Sequence, residues 1–422
     1  MRILLILFLL ANTYLFASDA SMEIIKKGTN LPNISINIAS NSNNKLYAKK
    51  IEHIIYQDLL VSGHFDVKLA KKPMFFSSSP NYLTQSKKNI DLLLNLKVTK
   101  DDSQRHIVEV KLFDINKKDQ VLRVAYSSKI LSRYPFLGHK ISIALNTYIK
   151  APSIDWMNKF VIFAKYLSAK ESEIVVSDYT LTFQQVIVRG GLNIFPKWAN
   201  PAQSAFYYTT YNYKKPTLMK VNLYTGNQRK IISSNGMIVC SDISRLGNKI
   251  LLTMAPNGQP DIYLYNTKTR IKTKLTSYLG IDVGGHFVEN ATKIVFISDR
   301  LGYPNIFAKG LRQRGVERLV YHGKNNSSVT TYKDYIVYTS RETDNEFSNN
   351  TFNLYLISTK SDYIRRLTLN GKNQFPKFSN DGESILFTKN YKGKSSLGII
   401  RLNYNKSFLF PLKVGKLQSI DW

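Results

Sequence analysis

Apolar residues follow two different rhythms along this chain. Near the amino end, Ile34, Ile36 and Ile38 alternate with polar residues, the period-two pattern of a half-buried strand. Asn41-Ser42-Asn43-Asn44 then offers helix-capping residues. Tyr47, Ile51, Ile54, Ile55 and Leu59 follow at i, i+4, i+7, i+8 and i+12, one apolar face of a helix that Gly63 ends. Phe65–Leu69, Asp91–Val98, Arg105–Phe113 and Val121–Ser127 read as strands, with a polar turn at Asp101-Asp102-Ser103. Leu137, Ile141, Ala144, Leu145 and Tyr148 predict a second amphipathic helix. Mixed strands with two helices on one side predict a small α/β domain over residues 33–151.

From about Trp156 the helical rhythm stops and short strands alternate with turns. Phe375-Pro376-Lys377-Phe378 leads through an Asp381-Gly382 turn into the strand Ile385-Leu386-Phe387; Phe195-Pro196-Lys197-Trp198 opens a second copy and Phe287 a third. Cys240 and Val329 head weaker copies, so that steps from Trp198 to Cys240, Phe287, Val329 and Phe378 run about 42, 47, 42 and 49 residues. Each copy continues with a second hairpin, giving four antiparallel strands. One such sheet cannot bury both faces alone, but a radial array can. Leu417–Trp422 reads as an isolated first strand whose three partners lie at Phe160–Ala164, Ile174–Asp178 and Gln185–Val188. The expected architecture over 156–422 is therefore an all-β, six-bladed β-propeller closed by both chain ends.

The amino terminus sets the expected compartment. Met1-Arg2, a largely apolar run over Ile3–Phe16 and the small residues of Ser18-Asp19-Ala20 predict a signal peptide over residues 1–20, with Ala17 as an alternative cleavage site and the periplasm as destination. The 422 residues carry a formal charge of +30, which points to anionic partners or to an anionic envelope. Cys240 is the single cysteine, so neither an internal disulfide nor a Cys-based zinc site is available.

Several segments resemble the TolB family, periplasmic propellers of the Tol–Pal cell-envelope system. These are Glu23–Gly28, His139-Lys140-Ile141, Phe160–Arg189 with its Ser177-Asp178-Tyr179, and Asp299–Ile306. The order of parts carries the likeness, since similar blades occur in prolyl-peptidase propellers. Asn200-Pro201-Ala202 and Ser244-Arg245-Leu246 replace the family's Ser-Pro-Asp-Gly turns. The resemblance implies a scaffold that keeps the outer membrane tethered during constriction. It implies a Pal-like lipoprotein bound on one propeller face and a TolA-like protein bound by the segment 21–32, with other outer-membrane proteins as further partners. The Pal-like face would include Ser234, Asn235, Gly236, Met237, Asp282, Val283 and Gly284, within the loops 234–237 and 281–285. The TolA-like segment would use Glu23, Ile24, Ile25, Lys26 and Lys27, adding to a partner's sheet edge. Gly28 and Pro32 offer a hinge there.

The residues themselves argue against catalysis. There is no Gly-x-Ser-x-Gly elbow, and Gly393-Lys394-Ser395 lacks the glycine a phosphate loop needs, Thr388 standing in its place. His53, His64, His106, His139, His286 and His322 show no i, i+4 pair, so no metal is expected. His139 is expected to satisfy a local carbonyl, and Asp299 and Asp381 to hold turns. The expectation is a monomeric, cofactor-free binding protein without nucleic-acid partners. The competing reading is a basic propeller that binds anionic envelope polymers such as lipopolysaccharide or peptidoglycan.

Overall fold

The computed structural model describes residues 31–101, 105–342 and 350–422. Its first part is built on β1 (Asn33–Ile38), α1 (Lys45–Ser62), β2 (Asp66–Leu69), α2 (Tyr82–Lys87), β3 (Leu92–Lys100), β4 (His106–Asp114), β5 (Asp119–Ser128) and α3 (Tyr134–Tyr148). The strands form one sheet in the order β2-β1-β3-β4-β5, with β1 parallel to β2 and β3 and the remainder antiparallel. Asn44 caps α1 by accepting from the Tyr47 N–H at 3.0 Å, and Gly63 ends it at φ +75°, where a side chain would be strained. Ile51, Ile55 and Leu59 of α1 and Leu137, Ile141 and Leu145 of α3 pack with Ile34, Ile36, Leu94 and Leu96 into one wholly buried core. Helix α2 is absent from the sequence-based expectation: it has six residues and buries none of them, so no apolar period marks it.

The remainder is a β-propeller arrangement of four-stranded antiparallel units. Their first strands are Asn193–Trp198, Ile238–Ile243, Asp282–Val288, Lys324–Tyr332 and Lys372–Phe378. A further sheet pairs Lys416–Asp421 antiparallel with Val161–Ser168, which continues through Glu171–Ser177 to Gln184–Val188. Sheet faces bury Val, Ile, Leu, Phe and Tyr against the adjacent unit; Ile250, Leu252 and Met254 with Tyr207 and Leu218 form one such layer.

Strand pairing corrects the repeat register read from the sequence. The partners of Phe206, Ile250, Ile294, Ile336 and Ile385 are Trp198, Ile243, Phe287, Thr331 and Phe378, so the true repeat positions are Ile243 and Thr331, not Cys240 and Val329. The cause is a bulge in every first strand, at Cys240/Asp242 and Ser327/Thr330 in these two, which slides apolar residues out of phase. The bulges carry left-handed residues: Phe195 at φ +55°, Gly284 at +64°, Ser328 at +49°, Phe375 at +54° and Ser419 at +46°.

Candidate functional site

The bulged first strands surround a channel. Lys197, Asp242, His286, Thr330, Lys377 and Asp421 share one register position, opposite Tyr207, Leu251, Val295, Val337, Leu386 and Ile162. All six line the same cavity. The Lys197 ammonium lies 3.0 Å from Asp421 and 3.7 Å from Asp242. The same two carboxylates fasten neighbouring units: Asp421 accepts from the Trp198 N–H and Asp242 from the Phe287 N–H, both at 2.9 Å. Burial alone would lower the Lys197 pKa, but Asp421 and Asp242 outweigh it and raise it. His286 is held well below its usual value by burial and by Lys377 and Lys197, so it is neutral near pH 7. Lys377 is pushed down to about 8 by burial first and the Lys197 charge second, against the pull of Asp421 and Asp242. Burial also pushes the Cys240 thiol up, which makes it a poor nucleophile.

The two mouths of the channel differ. One opens into a cavity of about 340 Å³ lined by Lys159, Asn200, Gln203, Arg245, Asn380 and Trp422. The other, of about 290 Å³, is walled by Phe195, Pro196, Met237, Val283, Phe375 and Pro376. The second mouth takes Met237 from the 234–237 loop and Val283 and Gly284 from the 281–285 loop. Asn235 apart, their polar side chains turn inward. Asp282 is fully buried and takes Arg300 Nη2 at 2.9 and 3.1 Å. Asn193 donates to Gly190 O, and Asn326 and Asn373 are likewise buried and bonded within the fold. Ser234 is buried, Asn235 exposed, and Met237, Val283 and Gly284 line the cavity. Gly236 has no room for a side chain: a Cβ there would stand 2.3 Å from Ala255 O. Glu23, Ile24, Ile25, Lys26 and Lys27 lie outside the described residues. Among the described residues no group of three or more His, Cys, Asp or Glu side chains is arranged to hold a metal ion. No helix among them is long and apolar enough to cross a membrane.

Residues 158–422 match the profile of the TolB beta propeller domain, and residues 20–121 that of the TolB amino-terminal domain. The chain belongs to the TolB family. A protein of Wolinella succinogenes called Tol-Pal system protein TolB is 51% identical over 425 residues, covering 100% of both chains. Proteins of the same name from Helicobacter hepaticus and Campylobacter jejuni are 46% and 45% identical, also over 100% of both. In fold, the chain is similar to the crystal structure of TolB from Acinetobacter baumannii, with a TM-score of 0.76 at 20% identity over 93% of this chain and 96% of that one.

Two of the segments that carry the TolB resemblance, His139-Lys140-Ile141 and Phe160–Arg189, meet in the structure. His139 of α3 is not bonded to a local carbonyl, as the sequence suggested. Its Nδ1 lies 2.9 and 3.0 Å from the Asp58 carboxylate oxygens, and its Nε2 stands 3.4 Å from Asp178 without the alignment of a hydrogen bond. Tyr179 donates to Asp58 Oδ1 at 2.6 Å, and all four residues are fully buried. Burial disfavours the imidazolium, yet Asp58 and Asp178 raise the His139 pKa to about 9. An 81-residue separation from Asp58 hides this seam between the α/β part and the propeller from any local pattern. The Asp299–Ile306 segment buttresses the mouth: Asp299 accepts from the Ile281 N–H at 2.8 Å, while Arg300 grips Asp282.

Proposed function

We propose that this chain is a non-catalytic periplasmic scaffold of the Tol–Pal system that binds a Pal-like lipoprotein through the apolar channel mouth and a TolA-like protein through residues 21–32. Its work is to maintain outer-membrane integrity and constriction at division. Four-stranded units in steps of 44 to 47 residues, from Trp198 through Ile243, Phe287, Thr331 and Phe378 to Trp422, support a ring of six blades. The antiparallel pairing of Lys416–Asp421 with Val161–Ser168 supports closure of that ring by both chain ends, which gives the last strand a partner from the first part of the propeller.

The observation that carries the binding reading is the apolar mouth. Phe195, Met237, Val283 and Phe375 line an open cavity on a chain whose charge is +30. An open apolar concavity rimmed by short loops is where a protein surface gains most from desolvation. Gly236 and Asp282 fix the loops from within and Ser234 is buried, while Asn235, Met237, Val283 and Gly284 present the surface. The relatives' name, Tol-Pal system protein TolB, supports the choice of partner.

Calorimetric titration against the soluble domain of the same organism's Pal-like lipoprotein, at two salt concentrations, tests this reading. Saturable one-to-one binding that persists at the higher salt is expected. Binding that collapses as salt rises would instead identify a basic binder of anionic envelope polymer.

A further inference from the structure

The motif Phe-Pro-Lys occurs twice, at 195–197 and 375–377, and places its lysine at the same register position of the channel. The two lysines meet different neighbours. The first strands on either side of Lys197 supply Asp421 and Asp242, and both carboxylates lie within 4 Å of it. Lys377 sits between strands that supply Thr330 and Asp421. Asp421 is already taken by Lys197 and the Trp198 N–H. Among the described residues, Lys377 has no carboxylate within ion-pair distance and no side-chain hydrogen-bond partner. Yet it lines both the apolar and the polar cavity.

We propose that Lys377 is the anchor of a binding site for a single carboxylate, held inside the channel between Lys377 and Thr330. A cation is disfavoured because Lys197 and Lys377 both face the space. A dianion such as phosphate would meet the Asp242 and Asp421 carboxylates across the channel, whereas a monoanion needs only the one uncommitted ammonium. The apolar mouth formed by Phe195, Met237, Val283 and Phe375 suits a carboxylate carried on an apolar stem. The carboxylate comes either from a small organic acid in solution or from an acidic side chain or chain end of a partner seated on the mouth. The second source rests on the partner reading above; the site itself does not.

Acetate is the probe. Protein labelled with ¹³C at lysine Cε is titrated with acetate replacing chloride at constant ionic strength, and the Lys377 resonance is assigned with Lys377→Arg. That resonance shifts saturably, with a dissociation constant on the order of millimolar. Its titration midpoint rises from about 8 on saturation, because the anion favours the ammonium. Calorimetry at pH 8 in two buffers then reads proton uptake on acetate binding. The uptake disappears in Lys377→Met and survives in Lys372→Met, an exposed lysine of the same strand. Adding the Pal-like soluble domain distinguishes the sources: displaced acetate means a partner's carboxylate enters the site, and retained acetate means a solute does. A Lys377 resonance that does not respond, or proton uptake that persists in Lys377→Met, overturns the proposal.

Discussion

At the seam, His139 stands between Asp58 and Asp178, with Tyr179 donating to Asp58, and every member is wholly buried. In the channel, Lys197 has two carboxylates and Lys377 has neither, and both lysines face solvent-sized cavities. The seam spends its charged groups on each other: the imidazolium has opposite charge on two sides and no route to water. The channel keeps one cation in reserve. Buried charge that is fully partnered fixes how two parts sit together, whereas buried charge left open to a cavity is free to meet something else.

The largest expected effect breaks the seam. Asp58→Ala leaves an imidazolium and a phenol without their acceptor, and should cost about 3–5 kcal/mol of unfolding free energy, read by urea titration. The next is pH. His139 has a folded pKa of about 9, above the ordinary value of 6.5. Its stabilisation is fully present below pH 6.5 and is lost as pH rises through 9. The unfolding midpoint should fall across that window by the equivalent of about 3 kcal/mol, and His139→Gln should flatten the profile. A fall of that size that persists in His139→Gln would place the titrating group elsewhere.

The channel lysines sharpen the contrast. Lys197→Met strands Asp421 and Asp242 and should destabilise at pH 7 by about 2 kcal/mol, discounted for their partial solvation. Lys377→Met should have the opposite sign, stabilising by about 1 kcal/mol or less, because Lys377 charges in the folded state only at a cost. Its folded pKa of about 8 lies below the unfolded 10.5, so that cost is present below pH 8 and is relieved as pH rises towards 10.5. Equal destabilisation by both substitutions would erase the distinction between them.

Much of this fold is legible in the chain's apolar periods. The cap at Asn44, the stop at Gly63, the face Ile51-Ile55-Leu59 and the strand near the carboxyl end, Lys416–Asp421, all rest on local patterns. Where sequence reading went astray, a non-local feature intervened. First-strand bulges displaced the repeat at Cys240 and Val329. His139 found its partner 81 residues away, across a seam no period reports. The mouth loops look polar in sequence because Asp282, Asn326 and Asn373 are polar, yet those side chains are buried in tying each strand start to the fold, leaving Met237 and Val283 to face the opening. The duplicated Phe-Pro-Lys was visible as a repeat mark. Its contrast in charge partners needed the strand order.

The most direct test of the account is a pair of substitutions, one at each mouth, titrated with the Pal-like soluble domain. Met237→Asp places a charge in the apolar opening and should weaken binding about 100-fold or more. Arg245→Asp, at the polar mouth, should change affinity less than about threefold at moderate salt. Unchanged binding in Met237→Asp, or a loss confined to Arg245→Asp, would contradict the assignment of the apolar mouth as the partner face.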